Sequence, residues 1–574
     1  VSTTAYEQPT KVSEVAVREP RDSTRKRWVN RARSADHKII ATTMIGFSLM
    51  ALCLAGFCEL LVWGQLALPD NTFLSPESFY NLHTLSDTSY LYLFALPLFA
   101  GLATYVLPLQ IGARSSAFPR LSALGCWMIV FGGTLLFFST FLNVWQGGVQ
   151  ASSSMLTYFY SPAAGIDFWL ISVLMVAGGL TFNAIDLAVT YKVLRAEGMD
   201  HDKAPIFAYA TAVYAYGILV TAPVLVAACI MALIERQWTD FGIFDPISGG
   251  NTLLWKTLFQ WFSHAAPYLI GVLAIGITSE IVSSASRVPL ANGKMVKSAI
   301  KFFAIFAILS FGQVFFGAPV VPFWNAVFML VGLALLVPSV IIISSWITTL
   351  KNGSFKSSPP ALFAVTFIGF FTFGVVANIA LSLPALSQWL NGSEFGYAIW
   401  LNAVWSTAAF AGFAGLTYWF PKITGRNLDS FKTKLALGLM AVGTVLATLA
   451  MCSLGVDGFA RELYTYSDGY QIRNIEAGIG TLLGAFGAIG LLINFIQSAS
   501  KGALAGNDPW HAGTLEWFAP SPPPENNFDA IPAVESELPL NDLRERIAAG
   551  TGELAGTVAQ SPTSGRPSLR ESKH

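Results

Sequence analysis

An all-α integral membrane fold of about twelve transmembrane helices is what the sequence predicts, and three observations predict it. The chain has 574 residues, of which 53% are hydrophobic and only 12% charged; soluble domains carry about 25% charged residues. Apolar runs of the length needed to cross a bilayer, about 20 residues, recur between short polar stretches. Lysine and arginine alternate from one short loop to the next, as they do in multi-pass proteins. Only helices or closed barrels satisfy the backbone in lipid, and runs this long are helices. With 34 basic and 34 acidic residues there is no bulk charge to recruit nucleic acid.

Taken in order, residues 1–38 are polar and rich in arginine and lysine, with no early apolar core of a signal peptide. They read as a disordered cytoplasmic tail. The membrane domain follows over 39–500, with spans at 39–63, 89–112, 121–142, 165–191, 206–234, 254–282, 298–317, 323–349, 361–384, 396–420, 433–455 and 475–498. Pro97 and Pro267 fall inside spans, where neighbouring helices re-satisfy the freed backbone groups. Residues 501–574 read as a soluble, proline-rich cytoplasmic tail, extended around PSPPPENNFDAIP, with a short helix at 540–548.

The loop cations set the orientation. Arg25, Lys26, Arg27, Arg31, Arg33 and Lys38 precede the first span, and loop 64–88 has none. Arg114 and Arg120 follow the second span, and loop 143–164 again has none. Both termini are therefore expected in the cytoplasm. The five cysteines (Cys53, Cys58, Cys126, Cys229, Cys452) form no CxxC pair and read as small buried hydrophobes. There is no nucleotide-binding glycine loop, HExxH or nucleophile elbow.

The second span and its exit loop read YLFALPLFAGLATYVLPLQIGARSSAFPRLSALGCW. Further irregular strings follow at fixed relative positions: ADHKII, VLRAEGM, LFQWFSH, YWFPKITGR and NDPWHAGTLEWFAPSPPPENNFD. Together these resemble the subunit I family of heme–copper oxidases, almost from end to end. The resemblance implies twelve helices in three arcs around three pores. It also implies six histidines, two for a low-spin heme, one for a high-spin heme and three for copper, since neutral imidazole binds iron and copper strongly.

Carried over residue by residue, most of that ligand set is replaced. The first low-spin ligand falls on Ser86, which cannot hold heme iron; His83, three residues earlier, is either a substitute or an interfacial loop histidine. The high-spin ligand and second low-spin ligand fall on Ile399 and Leu401. The copper pair falls on Phe311 and Gly312. His264 and Tyr268 are retained from the copper-site motif, one helical turn apart. His264 is either a residual copper ligand or a buried, hydrogen-bonded histidine. The proton-uptake positions carry Ala266, Ser115, Ser122 and Ile342. Of the arginine pair that holds heme propionates, Arg461 remains and Glu462 replaces its neighbour.

Glu59, Asp87, Asp186 and Glu280 lie near span ends and read as interfacial groups within reach of water, the cytoplasmic ones beside Lys or Arg. Trp400, Trp405, Trp419 and Phe311 are candidates to fill volume left by hemes, because a bundle keeps large voids only at a packing cost. The expectation is a non-catalytic pseudo-oxidase, a structural or accessory subunit of a respiratory complex in a prokaryotic cytoplasmic membrane. It would contact lipid and subunit II- or III-like chains, with no cofactor expected; heme and copper would accompany a retained family activity. One alternative is a terminal oxidase subunit reducing oxygen with electrons from cytochrome c or quinol. Another is a binding module or transporter using the vacated heme space.

Overall fold

The computed structural model describes residues 33–144, 161–238, 242–316, 321–466, 469–549 and 558–559; the expected tail at 1–38 lies outside them up to residue 32. Among the described residues, twelve helices are long and apolar enough to cross a membrane: α1 (His37–Gln65), α2 (Pro76–Gln110), α3 (Pro119–Leu142), α4 (Ala164–Val193), α5 (Ile206–Gln237), α6 (Thr252–Ser286), α7 (Gly293–Phe315), α8 (Pro322–Asn352), α9 (Pro359–Ser382), α10 (Glu394–Thr424), α11 (Ser430–Val456) and α12 (Gln471–Lys501).

Local chemistry sets their ends. Asp36 caps α1 by accepting from Lys38 N at 2.9 Å, and Asp429 caps α11 by accepting from Phe431 N and Lys432 N at 3.0 and 3.2 Å. Proline opens α2, α3, α8 and α9, where its missing N–H costs nothing. Gly425, with φ of 72°, ends α10 in the left-handed conformation that suits glycine.

Two helices are locally widened. α2 runs as a π-helix over Ser89–Ala95 and α10 over Asn402–Gly412. In α2 the widening falls just before Pro97, and Leu96 N–H bonds back to Leu91 O, five residues away. Proline cannot donate and its ring crowds the preceding turn, so a wider turn accommodates it.

Burial separates a centre from a rim. The most apolar window of α2 is 100% buried and that of α6 89%, against 28% in α8 and 22% in α9. α2, α6 and α10 form the core, and α8 and α9 turn most of their surface outward. Glycines bring α11 and α12 into backbone contact: a Cβ on Gly443 would lie 2.5 Å from Gly480 O.

The stretch after α12 departs from the extended, solvated tail read from sequence. Leu515, Trp517, Phe528 and Ile531 are buried, and α13 (Pro539–Ala548) follows. It folds back over one end of the bundle, called here the tail face. Lys38 at the start of α1 donates to Asn527 Oδ1 at 3.1 Å, and Asn527 donates to Ala113 O at 2.9 Å. Lys422, fully buried at the end of α10, donates to Ala519 O and Asn507 O at 2.7 and 3.2 Å. The start of α1 and the chain after α12 thus share one face, as an even number of crossings requires.

Candidate functional site

Of the residues singled out from sequence, His83, Ser86, Asp87, His264, Ile399, Leu401 and Arg461 lie in the half of the bundle away from the tail face. Ser86 sits on α2, with no exposed surface, just before the π-helical turns. Its hydroxyl donates to Glu59 Oε2 of α1 at 2.7 Å. Trp63 Nε1 donates to the other Glu59 oxygen at 3.0 Å. Glu59 is 3% exposed, which corrects its reading as an interfacial carboxylate.

One residue on, Asp87 is also buried and is the hub of a charged cluster. Arg461, from the loop between α11 and α12, forms an ion pair with it, Tyr397 donates to Asp87 Oδ1 at 2.9 Å, and His83 Nδ1 lies 3.5 Å from Oδ2. The Arg461 guanidinium lies 4.3 Å from the centre of the Tyr397 ring. His83 is therefore neither in a loop nor at an interface: it is a buried helical residue engaged by a carboxylate. Arg461 takes Asp87 as its principal partner, with the Glu462 carboxylate 3.8 Å from its Nε.

His264 and Tyr268 lie on α6 with ring centres 5.5 Å apart. His264 Nε2 is 3.0 Å from Ser310 Oγ, and Ser310 donates its own proton to Ala307 O at 2.9 Å. The serine oxygen is thus the acceptor, and His264 Nε2 carries the proton. Tyr268 donates to Asn378 Oδ1 at 3.2 Å. Phe311 packs on Trp261, with ring centres 4.5 Å apart, and a Cβ on Gly312 would lie 2.2 Å from the Phe328 ring. Ile399, Ala266 and Ile342 are buried, and Leu401 packs against the core from a half-buried position. On the tail side, Asp186 is fully buried and accepts from Phe118 N at 2.6 Å, a backbone partner where a cation was expected. Glu280 accepts from Phe207 N at 3.2 Å. Ser122 accepts from Asn183 at 3.2 Å, while Ser115 bonds only the neighbouring carbonyl of Ser116 at 3.3 Å.

The volume around these positions is only partly filled. A cavity of about 960 Å³ is bordered by His264, Tyr268, Gln313, Tyr397, Trp400 and Arg461. It shares Pro267, Tyr268, Asn378, Ile399 and Ala403 with a more apolar one of about 680 Å³. A third, of about 950 Å³, lies among α1, α10, α11 and α12. Trp400 and Trp405 border cavities without closing them. Trp419 lies elsewhere, packed on Phe207 and bonded to Glu516 at the tail face. The expectation of filled heme volume is corrected to that extent.

The described residues form a bundle of twelve candidate membrane spans with a polar chamber on its central helices, and comparison with known proteins specifies its family. The family described as Cytochrome C and Quinol oxidase polypeptide I matches residues 39–488. A putative cytochrome c oxidase subunit 1-beta of Streptomyces coelicolor is 34% identical, over 90% of this chain and 90% of its own length. Cytochrome c oxidase subunit 1 of Bacillus subtilis is 32% identical, over 88% of this chain and 82% of its own length. A heme–copper terminal oxidase structure shares the fold with a TM-score of 0.68 at 16% identity, covering 82% of this chain and 85% of that one. The chain belongs to the cytochrome c and quinol oxidase subunit I family.

That membership corrects the expectation of a chain without cofactors, because the family and the structural neighbour are defined by heme and copper. The donors at the carried-over positions nevertheless do not fit those groups. At the five positions that the resemblance assigns to imidazoles stand a hydroxyl committed to Glu59, two aliphatic side chains, a phenyl ring and a bare glycine. Among the described residues no group of three or more His, Cys, Asp or Glu is placed to hold a metal ion. Any heme or copper this chain carries is held by donors other than those five.

Proposed function

We propose that this subunit I-like protein is a non-catalytic, structural or accessory subunit of a respiratory complex. It lies in the cytoplasmic membrane of a prokaryote with the tail face and both termini in the cytoplasm. One observation carries the reading: the ligand positions are committed to other work, with Ser86 donating to Glu59 at 2.7 Å and Phe311 packed on Trp261. An oxygen-reducing centre needs ligands that are free to bind metal. The loop cations support the orientation, and the relatives' names, all subunit 1 of an oxidase, support lipid and further oxidase subunits as partners.

The chain is to be purified in mild detergent with whatever accompanies it, and oxygen consumption followed with reduced cytochrome c or quinol. The accessory reading expects subunit II- or III-like chains in the preparation and no turnover attributable to this chain. Oxygen reduction by the chain free of any other subunit I overturns it and favours the oxidase reading that family membership suggests.

A further inference from the structure

Behind the segment that closes the tail face lies a further cavity, of about 620 Å³, and none of its lining residues belongs to the three cavities described above. Its walls come from three parts of the chain: the last turns of α6, Tyr418 of α10, and the stretch from His511 into α13. Hydrogen bonds fix those walls. Leu540 N donates to Gly513 O at 2.9 Å, and Arg544 donates to Ala512 O and Asn541 Oδ1 at 3.0 Å each. Trp510 Nε1 donates to Tyr418 O at 2.9 Å. On the α6 side, Ser354 N and Lys356 N donate to Ser286 O and Ala285 O, both at 3.0 Å. The cavity is thus built into the docked tail, and its volume is in the range of small-molecule sites.

Charge divides this cavity into two ends. Arg287 and His511 are exposed and stand at its mouth, while Tyr418 and Thr514 are buried and form its floor with the half-buried Glu280. Glu280 accepts from Phe207 N through Oε1 at 3.2 Å, and its other oxygen accepts from no described residue. The Arg287 guanidinium makes no hydrogen bond or ion pair among the described residues. Other cations on this face are paired: Lys297 with Glu537, Lys294 with Asp202, Arg544 with Asp508 and Arg546 with Glu535. Glu280 and Arg287 are seven residues apart, so they share one face of α6 about 10 Å apart along its axis, and they do not reach each other. Val288, Ala512 and Leu538 supply apolar wall in the same cavity. An anion alone would enter beside the Glu280 carboxylate, and a cation alone would have to pass the Arg287 guanidinium. A molecule with one charge of each sign, held apart by a short apolar stretch, meets both.

We propose that this cavity binds a small organic zwitterion of the ω-amino acid type. Its carboxylate lies at Arg287 and His511, and its ammonium group at Glu280. An α-amino acid without a side-chain charge has its two charges too close together to span the same distance. The site stands independently of the accessory role, since it is read by binding and not by turnover.

The full chain, with its partners, is placed in phosphatidylcholine nanodiscs and titrated by calorimetry. The probes are δ-aminovalerate, valerate, cadaverine and glycine, added separately. The proposal expects δ-aminovalerate to bind with one equivalent per chain, at least tenfold more tightly than the other three, and to slow hydrogen exchange several-fold across 511–514 and 538–541. Arg287→Gln, at an exposed position, weakens δ-aminovalerate about tenfold and lets cadaverine bind. Glu280→Gln keeps the acceptor for Phe207 N, weakens δ-aminovalerate similarly and lets valerate bind. Lys434→Gln, an exposed cation of the same face outside the cavity, leaves binding unchanged. No saturable binding of δ-aminovalerate, equal binding of valerate, cadaverine or glycine, or binding that Arg287→Gln leaves unchanged overturns the proposal.

Discussion

Asp87 and Arg461 show how much of this molecule rests on single buried contacts. Both side chains are under 10% exposed, and they tie α2 to the loop between α11 and α12. A buried ion pair adds little net stability over an apolar replacement, but removing one partner leaves the other charge uncompensated, at a cost of about 3–5 kcal/mol. Asp87→Ala and Arg461→Ala are each expected to destabilise by about that much. The double variant should lose clearly less than the sum, because no charge is then stranded. Thermal unfolding in detergent across the four-member cycle measures this; strict additivity would mean that the two groups do not act as a pair. Glu462→Ala, at a carboxylate 45% exposed, should change stability by less than about 1 kcal/mol. From sequence, Arg461 stood out through the family resemblance, yet Asp87 read as a group near water. Its partner lies 374 residues away, and nothing in local pattern or hydropathy joins two such positions.

The helices were legible where hydropathy alone decides, and misread where packing does. The ninth span reads as 361–384 and is observed at Pro359–Ser382. The second reads as 89–112, yet α2 begins at Pro76. The missing turns, PESFYNLHTLSDT, are polar in text, yet Phe79, Asn81 and residues 83–88 are buried: Phe79 is fully enclosed and packs edge-on against Tyr464 at 5.6 Å. That stretch carries His83, Ser86 and Asp87, so the misplaced boundary hid the site's own geometry. The π-helical turns were equally unreadable, since a proline in a span says only that some adjustment is needed. The α11–α12 seam gives a test at this scale. A Cβ on Gly443 would lie 2.5 Å from both Gly480 O and Gly484 N, backbone atoms with nowhere to go. Gly443→Ala is expected to cost about 1–3 kcal/mol by overpacking. Gly438→Ala on the same helix meets nothing within 4 Å and should gain about 0.4–1 kcal/mol from a less flexible unfolded chain. Equal shifts in unfolding temperature for the two would show that α11 and α12 do not meet there.

Across the whole molecule, the segment after α12 closes the tail face, and Glu516 is its most deeply placed ionisable group. Prolines made PSPPPENNFDAIP read as extended, which is sound local physics, but the apolar residues spaced around it, Leu515, Trp517, Phe528 and Ile531, were the signal that it packs. Glu516 has no exposed surface; burial pushes its carboxyl above the usual range, opposed by hydrogen bonding from Gln110 at 3.1 Å. Trp419 donates to the same oxygen at 3.4 Å, and Lys422 lies over the neighbouring Trp517 ring at 5.1 Å. A docked carboxyl with a raised pKa holds its proton to higher pH than the released segment does. Its contribution to docking is therefore complete below the unfolded value, about 4.3 for glutamate, and is lost as pH rises through the docked value. Hydrogen exchange across 507–528, corrected for the intrinsic pH dependence of exchange, should show protection falling as pH rises from the ordinary carboxylate range. In Glu516→Gln, which keeps an acceptor for Gln110 and cannot ionise, the profile should flatten. The same slope in both proteins would assign the pH dependence to another group and leave Glu516 as a packed side chain only.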